Sequence, residues 1–90
     1  RTKRGEIDII AKKKDVLVLV EVRAKVGEQF GSPEDTLTHE KKRRLLWNAK
    51  AYVANKKYMG PYRIDTVCIV LRGDGTETPQ RLSHHESITT

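Results

Sequence analysis

The sequence contains one cysteine, Cys68, and no long hydrophobic run. A single cysteine excludes an intramolecular disulfide, which fits a protein of the reducing cytoplasm. No window approaches the ~20 apolar residues of a membrane-spanning helix, and no signal peptide is visible where the sequence starts. We therefore predict a cytoplasmic protein with no membrane partner.

Apolar residues are in short supply. Aromatic residues make up 6% and hydrophobic residues 37% of the 90 positions, whereas charged residues make up 33%. A chain of this length and composition can form one small core. We predict a single domain spanning residues 1–90, without repeats or low-complexity tracts.

Acidic excess is also absent, since the net charge is +6. The segment 39–57 holds seven Lys or Arg residues and one Glu, while the rest of the chain is neutral. A localised positive charge favours a polyanion partner, DNA being the commonest. The candidate nucleic-acid-binding residues are Lys41, Lys42, Arg43 and Arg44. The alternative is a helix face whose charges serve only solvation.

Hydrophobic spacing predicts five elements in the order β-β-α-β-β. The strands fall at 5–11, 16–25, 62–71 and 79–86, and a helix runs from an N-cap at Thr38 to about Lys57. Ser32 and Pro33 indicate a short helical turn before it. This order predicts an α/β fold with a mixed central sheet and the helix on one face. The second and third strands are the most apolar, so we expect them to be central.

Charged residues alternate at the end of the apolar run VLVLV, in the segment VEVRAK. Side chains on a strand alternate between its faces, so Glu21, Arg23 and Lys25 share one face. If the hairpin turn is centred between Lys14 and Asp15, Asp8 lies directly opposite Glu21. Directly opposed side chains have Cβ atoms ~4.5–5.5 Å apart.

At this separation the ionised carboxylates of Asp8 and Glu21 repel each other, so either a cation lies between them or the pKa of one of them rises. Two carboxylates suit Mg²⁺ or Mn²⁺. A cationic side chain on the same face could hold a phosphate or the attacking water, which is the chemistry of metal-assisted phosphodiester hydrolysis. The alternative is a cross-strand acidic pair that Arg23 and Lys25 neutralise.

Five ordered segments (GEIDIIA, LVEVRAK, FGSPEDTLT, KKRRL and RIDTVCIV) resemble the bacterial YraN family (UPF0102). The family consists of predicted endonucleases related to Holliday-junction resolvases, with a restriction-endonuclease-like core. The resemblance implies hydrolysis of DNA phosphodiester bonds, at branched or damaged DNA. It implies metal binding by Asp8, Glu21 and the backbone carbonyl of Val22, with Arg23 and Lys25 completing the catalytic set.

Two departures from the family pattern affect this expectation. Arg23 stands where the superfamily has lysine, and arginine cannot act as a general base, although it can bind a phosphate through two hydrogen bonds. Lys25 could substitute in part. The family also has a helix with another acidic residue before the GEID segment, whereas this sequence starts at Arg1, directly before that segment. We therefore expect an N-terminally incomplete core that lacks this helix and one possible ligand. The alternative function is a non-catalytic nucleic-acid-binding module of the same fold.

Other chemically active residues have structural interpretations. We expect Asp65 to form a salt bridge at the start of the third strand, and Cys68 to be an inert core residue. The three histidines are not part of a recognisable metal motif. Cutting two DNA strands would require two sites and so favours a homodimer, although no dimer interface is legible in the sequence.

Overall fold

The computed structural model describes residues 7–89. Its strands are β1 (Ile9–Lys13), β2 (Val16–Val26), β3 (Tyr62–Leu71) and β4 (Arg81–His85), and its α-helix is α1 (His39–Asn55). A 3₁₀ helix, Pro33–Thr36, lies between β2 and α1 in the chain. Within residues 7–89, no helix is long and apolar enough to span a membrane.

The four strands form one mixed sheet in the order β1-β2-β3-β4. The hairpin β1–β2 and the pair β3–β4 are antiparallel, whereas β2 and β3 are parallel and are connected through α1. The parallel pair is central because its strands are the most apolar and hydrogen-bond on both sides. The predicted α/β class, the element order and the mixed sheet are confirmed.

The first strand begins later than the sequence predicts. Residues 5 and 6 of the predicted strand lie outside the described part of the chain, and the observed strand is Ile9–Lys13. It extends to Lys13 because the turn has only two residues, Lys14 and Asp15. Lys14 has a φ of 56°, the positive value that a two-residue hairpin loop requires. The predicted first strand, which ended at residue 11, was therefore two residues short at this end.

Helix α1 has clear capping at both ends. Thr38 is the N-cap, as predicted, and its hydroxyl accepts a hydrogen bond from the Lys41 amide at 3.2 Å. At the other end, the amide of Tyr58 donates to the Val53 carbonyl at 2.8 Å, while Lys57 takes a φ of 54°. This is the Schellman arrangement, with lysine where glycine is usual. The helix consequently ends at Asn55, two residues before the predicted position.

The core lies between α1 and one face of the sheet. Leu19, Ala49 and Ile64 are at most 3% exposed and pack together. Because side chains alternate along β2, the face that carries Leu19 also carries Glu21 and Arg23 further along the strand. Helix α1 covers the Leu19 end of this face, and the loop with the 3₁₀ helix reaches Lys25 at the other end. Glu21 and Arg23 lie between the part of the face covered by α1 and the part covered by the loop.

Candidate functional site

The β1–β2 hairpin has the register that opposes Asp8 to Glu21. Ile9 pairs with Val20 and Lys13 with Val16, so the next position along the hairpin places Asp8 opposite Glu21. The predicted register is confirmed. The chain bends at Asp8, and the Asp8 Oδ2 atom accepts a hydrogen bond from the Val22 amide at 2.9 Å. The carboxylate thus satisfies a backbone donor just beyond the end of the strand pairing.

Glu21 is the more buried member of the acidic pair, with a side chain that is 15% exposed. Burial raises the pKa of Glu21, and the Asp8 carboxylate raises it further through its charge and a side-chain hydrogen bond. Arg23 and, more weakly, Lys41 lower this pKa, but the net shift is upward. The Glu21 backbone is held by Thr66, whose hydroxyl donates to the Glu21 carbonyl at 2.9 Å. The fold therefore holds two carboxylates together at an electrostatic cost.

Arg23 lies beside the acidic pair and has an unused donor. Its Nη2 atom is 3.3 Å from the Glu21 Oε2 atom. Its Nε atom is buried and has no hydrogen-bond partner within residues 7–89. An unsatisfied buried donor costs roughly 1–3 kcal/mol. A ligand oxygen at this position would remove that cost.

Lys25 occupies the far end of the charged face. Its Nζ atom lies 3.6 Å from the point that a Cβ on Gly31 would occupy, and Asp35 Oδ2 lies 3.1 Å from the same point. Gly31 has a φ of 114°, so a side chain here would be both strained and crowded. Lys25 therefore lies against the loop that precedes the 3₁₀ helix. Its assignment as a catalytic residue, like that of the Val22 carbonyl as a ligand, stays a prediction.

The four consecutive cations of α1 diverge instead of forming one patch. Lys41 is near enough to Glu21 to lower its pKa. Lys42 and Arg43 line a groove of about 440 Å³, together with His39, Leu46, Ile88 and Thr89. Arg44 forms an exposed ion pair with Glu40 at 3.5 Å. Lys41 is thus the cation of this run whose charge acts on Glu21, while Lys42 and Arg43 lie along the groove.

Asp65 is structural, as predicted. It is fully buried, and it accepts hydrogen bonds from Arg63 Nε at 3.1 Å and from the Ser87 amide at 3.0 Å, with His84 Nε2 at 2.8 Å. Burial alone would raise the pKa of Asp65, but these three partners outweigh it and the pKa is lowered. Asp65 pairs with Val20, so its side chain lies on the face opposite Glu21.

A second cluster escaped the sequence analysis. Both terminal nitrogens of Arg81 lie 2.8 Å from the Glu34 carboxylate, and Arg81 also contacts Glu28 at 2.6 Å. His85 Nε2 lies 2.8 Å from Glu34 Oε2. The hydrogen bonds from Arg81 hold the pKa of Glu34 well below its usual range, against the effect of burial. Burial, and then the Glu34 charge, raise the pKa of the Cys68 thiol.

No spacing rule could have revealed this cluster. Glu34 lies on the 3₁₀ helix and its partners Arg81 and His85 lie on β4, 47 and 51 residues away. The only local signal was the turn sequence SPED, whose Ser32 and Asp35 form a reciprocal capping box. That signal places the 3₁₀ helix but does not identify its partner in the sheet.

These observations define an α/β protein with a mixed four-stranded sheet, one covering helix and an acidic–basic cluster on a central strand. The model of the uncharacterised protein family UPF0102 matches residues 1–69. The chain belongs to this family, as its resemblance to the YraN proteins predicted.

Curated relatives agree with this assignment. A UPF0102 protein of Pelotomaculum thermopropionicum is 37% identical over 84 residues, covering 92% of this chain and 68% of the relative. One from Herpetosiphon aurantiacus is 40% identical over 91 residues, covering 94% and 69%. One from Phocaeicola vulgatus is 33% identical over 83 residues, covering 92% and 65%. The chain thus spans about two thirds of the length of these relatives, whose names state no activity.

Proposed function

We propose that this protein is a metal-dependent endonuclease that hydrolyses DNA phosphodiester bonds at branched or damaged DNA in the cytoplasm. The observation that supports this most directly is the hairpin register, which opposes Asp8 and Glu21 where the pairing of β1 with β2 ends. A central strand that fixes Glu21 and Arg23 through its pairing with β3 suits a site that must hold a charged ligand in one geometry.

The acidic pair has a donor set that fits Mg²⁺ or Mn²⁺. Both ions prefer carboxylate and carbonyl oxygens and keep several waters. Asp8 uses Oδ2 for the Val22 amide, which leaves Oδ1 for a ligand, and the Val22 carbonyl would be a third one. Burial and then the charge of Asp8 raise the pKa of Glu21, and a cation between the carboxylates would offset both effects. When bound, the metal would supply polarisation of the phosphate and a more acidic bound water.

The cationic side chains would bind the DNA backbone. Arg23 can donate its free Nε to a phosphate oxygen at the reacting position, but it cannot take a proton from water. Lys41 would add positive charge beside Glu21, and Lys42 and Arg43 would contact phosphates along the groove that they line. Phosphate contacts position DNA without reading its sequence. We therefore expect selection by DNA shape, not by base sequence.

The topology supports a restriction-endonuclease-like core as part of the proposal. An antiparallel hairpin brings the carboxylates together, and α1 then leads to a parallel central strand. In such a core the site is formed at one end of the sheet by side chains whose backbone is fixed by pairing on both sides. Glu21 pairs with Thr66 on β3 and directly follows Val20, the last residue of β2 that pairs with β1.

Cleavage assays with matched variants test the proposal. We expect the protein with Mn²⁺ or Mg²⁺ to cut a four-way junction or a nicked duplex, and Asp8→Asn and Glu21→Gln each to abolish cutting. Glu77→Gln is the control, since Glu77 is an exposed carboxylate far along the chain from the site. Cutting that survives both site substitutions, or the absence of cutting on every DNA structure tried, would overturn the proposal. Sedimentation with junction DNA would test the expected homodimer.

A non-catalytic DNA-binding module is the second candidate. The observation that favours it is Arg23, which contacts Glu21 at 3.3 Å and cannot serve as a base. Such a module would bind DNA with a steep dependence on salt and no dependence on divalent metal. If the protein is a binding module only because of this arginine, the parent should not cut DNA and Arg23→Lys should. The endonuclease proposal instead expects the parent protein to cut.

A further inference from the structure

Glu34, Cys68 and His85 form a second group of potential metal ligands, separate from the acidic pair. One carboxylate oxygen, the thiol sulfur and one imidazole nitrogen all lie within 4.8 Å of one another. The three residues come from the 3₁₀ helix, β3 and β4, respectively. We propose that this group binds Zn²⁺ and fastens the loop that carries the 3₁₀ helix to the sheet.

The donor types select the metal class. Thiolate, imidazole and carboxylate together are typical zinc ligands, whereas Mg²⁺ and Mn²⁺ favour oxygen alone. Zinc bond lengths of about 2.0–2.3 Å in a tetrahedron correspond to ligand separations of about 3.3–3.8 Å. Glu34 Oε2 and His85 Nε2 are now 2.8 Å apart, so metal binding would replace their hydrogen bond and separate them slightly. Water would complete the fourth position.

The surroundings satisfy the further requirements of a zinc site. Ligating carboxylates are normally oriented by hydrogen bonds from a second residue, and Arg81 does this for Glu34 through both of its terminal nitrogens. The charges also balance. Glu28, Glu34 and Arg81 together carry a net charge of −1, and Zn²⁺ bound to a Cys68 thiolate would contribute +1. The thiol proton would leave to solvent as the metal–sulfur bond forms.

Access to the group is open on one side. The side chains of Glu34 and His85 are 28% and 43% exposed, whereas Cys68 is fully buried behind them. An ion could therefore reach the group without unfolding of the sheet. The consequence would extend to the charged face of β2, because the same loop carries Gly31, and the Lys25 Nζ atom lies 3.6 Å from the point that a Cβ on Gly31 would occupy.

Cobalt titration of the fully reduced protein tests the proposal, because Co²⁺ reports thiolate coordination through a charge-transfer absorption that carboxylate sites lack. The titration is done in the Glu21→Gln background, which removes the acidic pair as a competitor. We expect one Co²⁺ per chain with this absorption, and displacement by Zn²⁺. This readout is independent of DNA cleavage, so failure here would leave the endonuclease proposal unaffected.

Variants of the ligands give the decisive comparison. Cys68→Ala should abolish the absorption, and His85→Gln should weaken binding by at least about tenfold. His84→Gln is the matched control, because His84 contacts Asp65 on the other side of the sheet. Since Cys68 is buried, the partly exposed His85 provides the test that does not depend on core packing. No charge-transfer absorption in the parent protein, or its persistence in Cys68→Ala, would overturn the proposal.

Discussion

Replacing Glu21 by glutamine should stabilise the metal-free protein at neutral pH. Burial and the Asp8 carboxylate raise the pKa of Glu21 despite its contact with Arg23. The folded protein therefore binds a proton at Glu21 more tightly than the unfolded chain does. Stability from this group decreases as pH rises from the unfolded pKa through the higher folded pKa, and the loss is complete above it. Glutamine mimics the protonated state and avoids the loss.

The size of the effect follows from the geometry of the pair. Cross-strand pairs contribute roughly 0.2–1 kcal/mol, and a directly opposed pair with one member 15% exposed belongs at the upper end. A gain of about 1 kcal/mol in a domain of this size raises the melting temperature by about 4–8 °C. In Mn²⁺ the order of melting temperatures should reverse, so that the parent melts above Glu21→Gln. A metal at a hundred times its dissociation constant stabilises the parent by about 2.7 kcal/mol and would not stabilise Glu21→Gln.

Thermal melts of four proteins form the assay: the parent, Asp8→Asn, Glu21→Gln and the double variant, each with EDTA and with Mn²⁺. Asparagine retains an oxygen that can accept from the Val22 amide, so Asp8→Asn removes charge without losing that bond. Either single substitution relieves the repulsion, so the double variant should gain less than the two singles combined. Additive gains, or a lower melting temperature for Glu21→Gln in EDTA, would refute the reasoning.

Three further predictions concern other parts of the fold. Asp65→Ala should destabilise the protein by about 3 kcal/mol, because it removes the fully buried carboxylate that accepts from Arg63 Nε at 3.1 Å and from the Ser87 amide at 3.0 Å, and leaves Arg63 with its longer, 3.5 Å contact to Glu86. Urea unfolding would measure this, and a loss below about 1 kcal/mol would contradict it. Thr38→Ala should cost about 1 kcal/mol by removing the acceptor for the Lys41 amide, with a substitution of the exposed Thr78, Thr78→Ala, as the comparison in the same melts. Arg23→Lys should retain metal binding by calorimetry, and in cleavage assays it should change rate without changing the DNA structure preferred.

The element order, the α1 N-cap and the hairpin register could be predicted from sequence because each depends on local rules. Alternation in VEVRAK, the β-branched run before it and the position of the turn are sufficient to oppose Asp8 to Glu21. The same local rules failed at the turn itself. Sequence pattern identifies the polar residues KKKD, but only the left-handed conformation of Lys14 shows that two of them belong to the strand.

The sequence by itself determined the sheet, the helix and the pairing of the two carboxylates, because hydrophobic periodicity and a short turn act over neighbouring residues. Only the tertiary structure decided which acidic residue or loop most of the cationic side chains lie near. The Glu40–Arg44 ion pair is an exception, since it follows from the i,i+4 spacing within α1. The tertiary structure brought the charge of Lys41 near Glu21 and placed Lys25 against the loop that carries Gly31. It also joined Glu34 to Cys68 and His85 across three elements. Such contacts depend on the angle at which helix and loop pack on the sheet, and no short-range pattern encodes that angle.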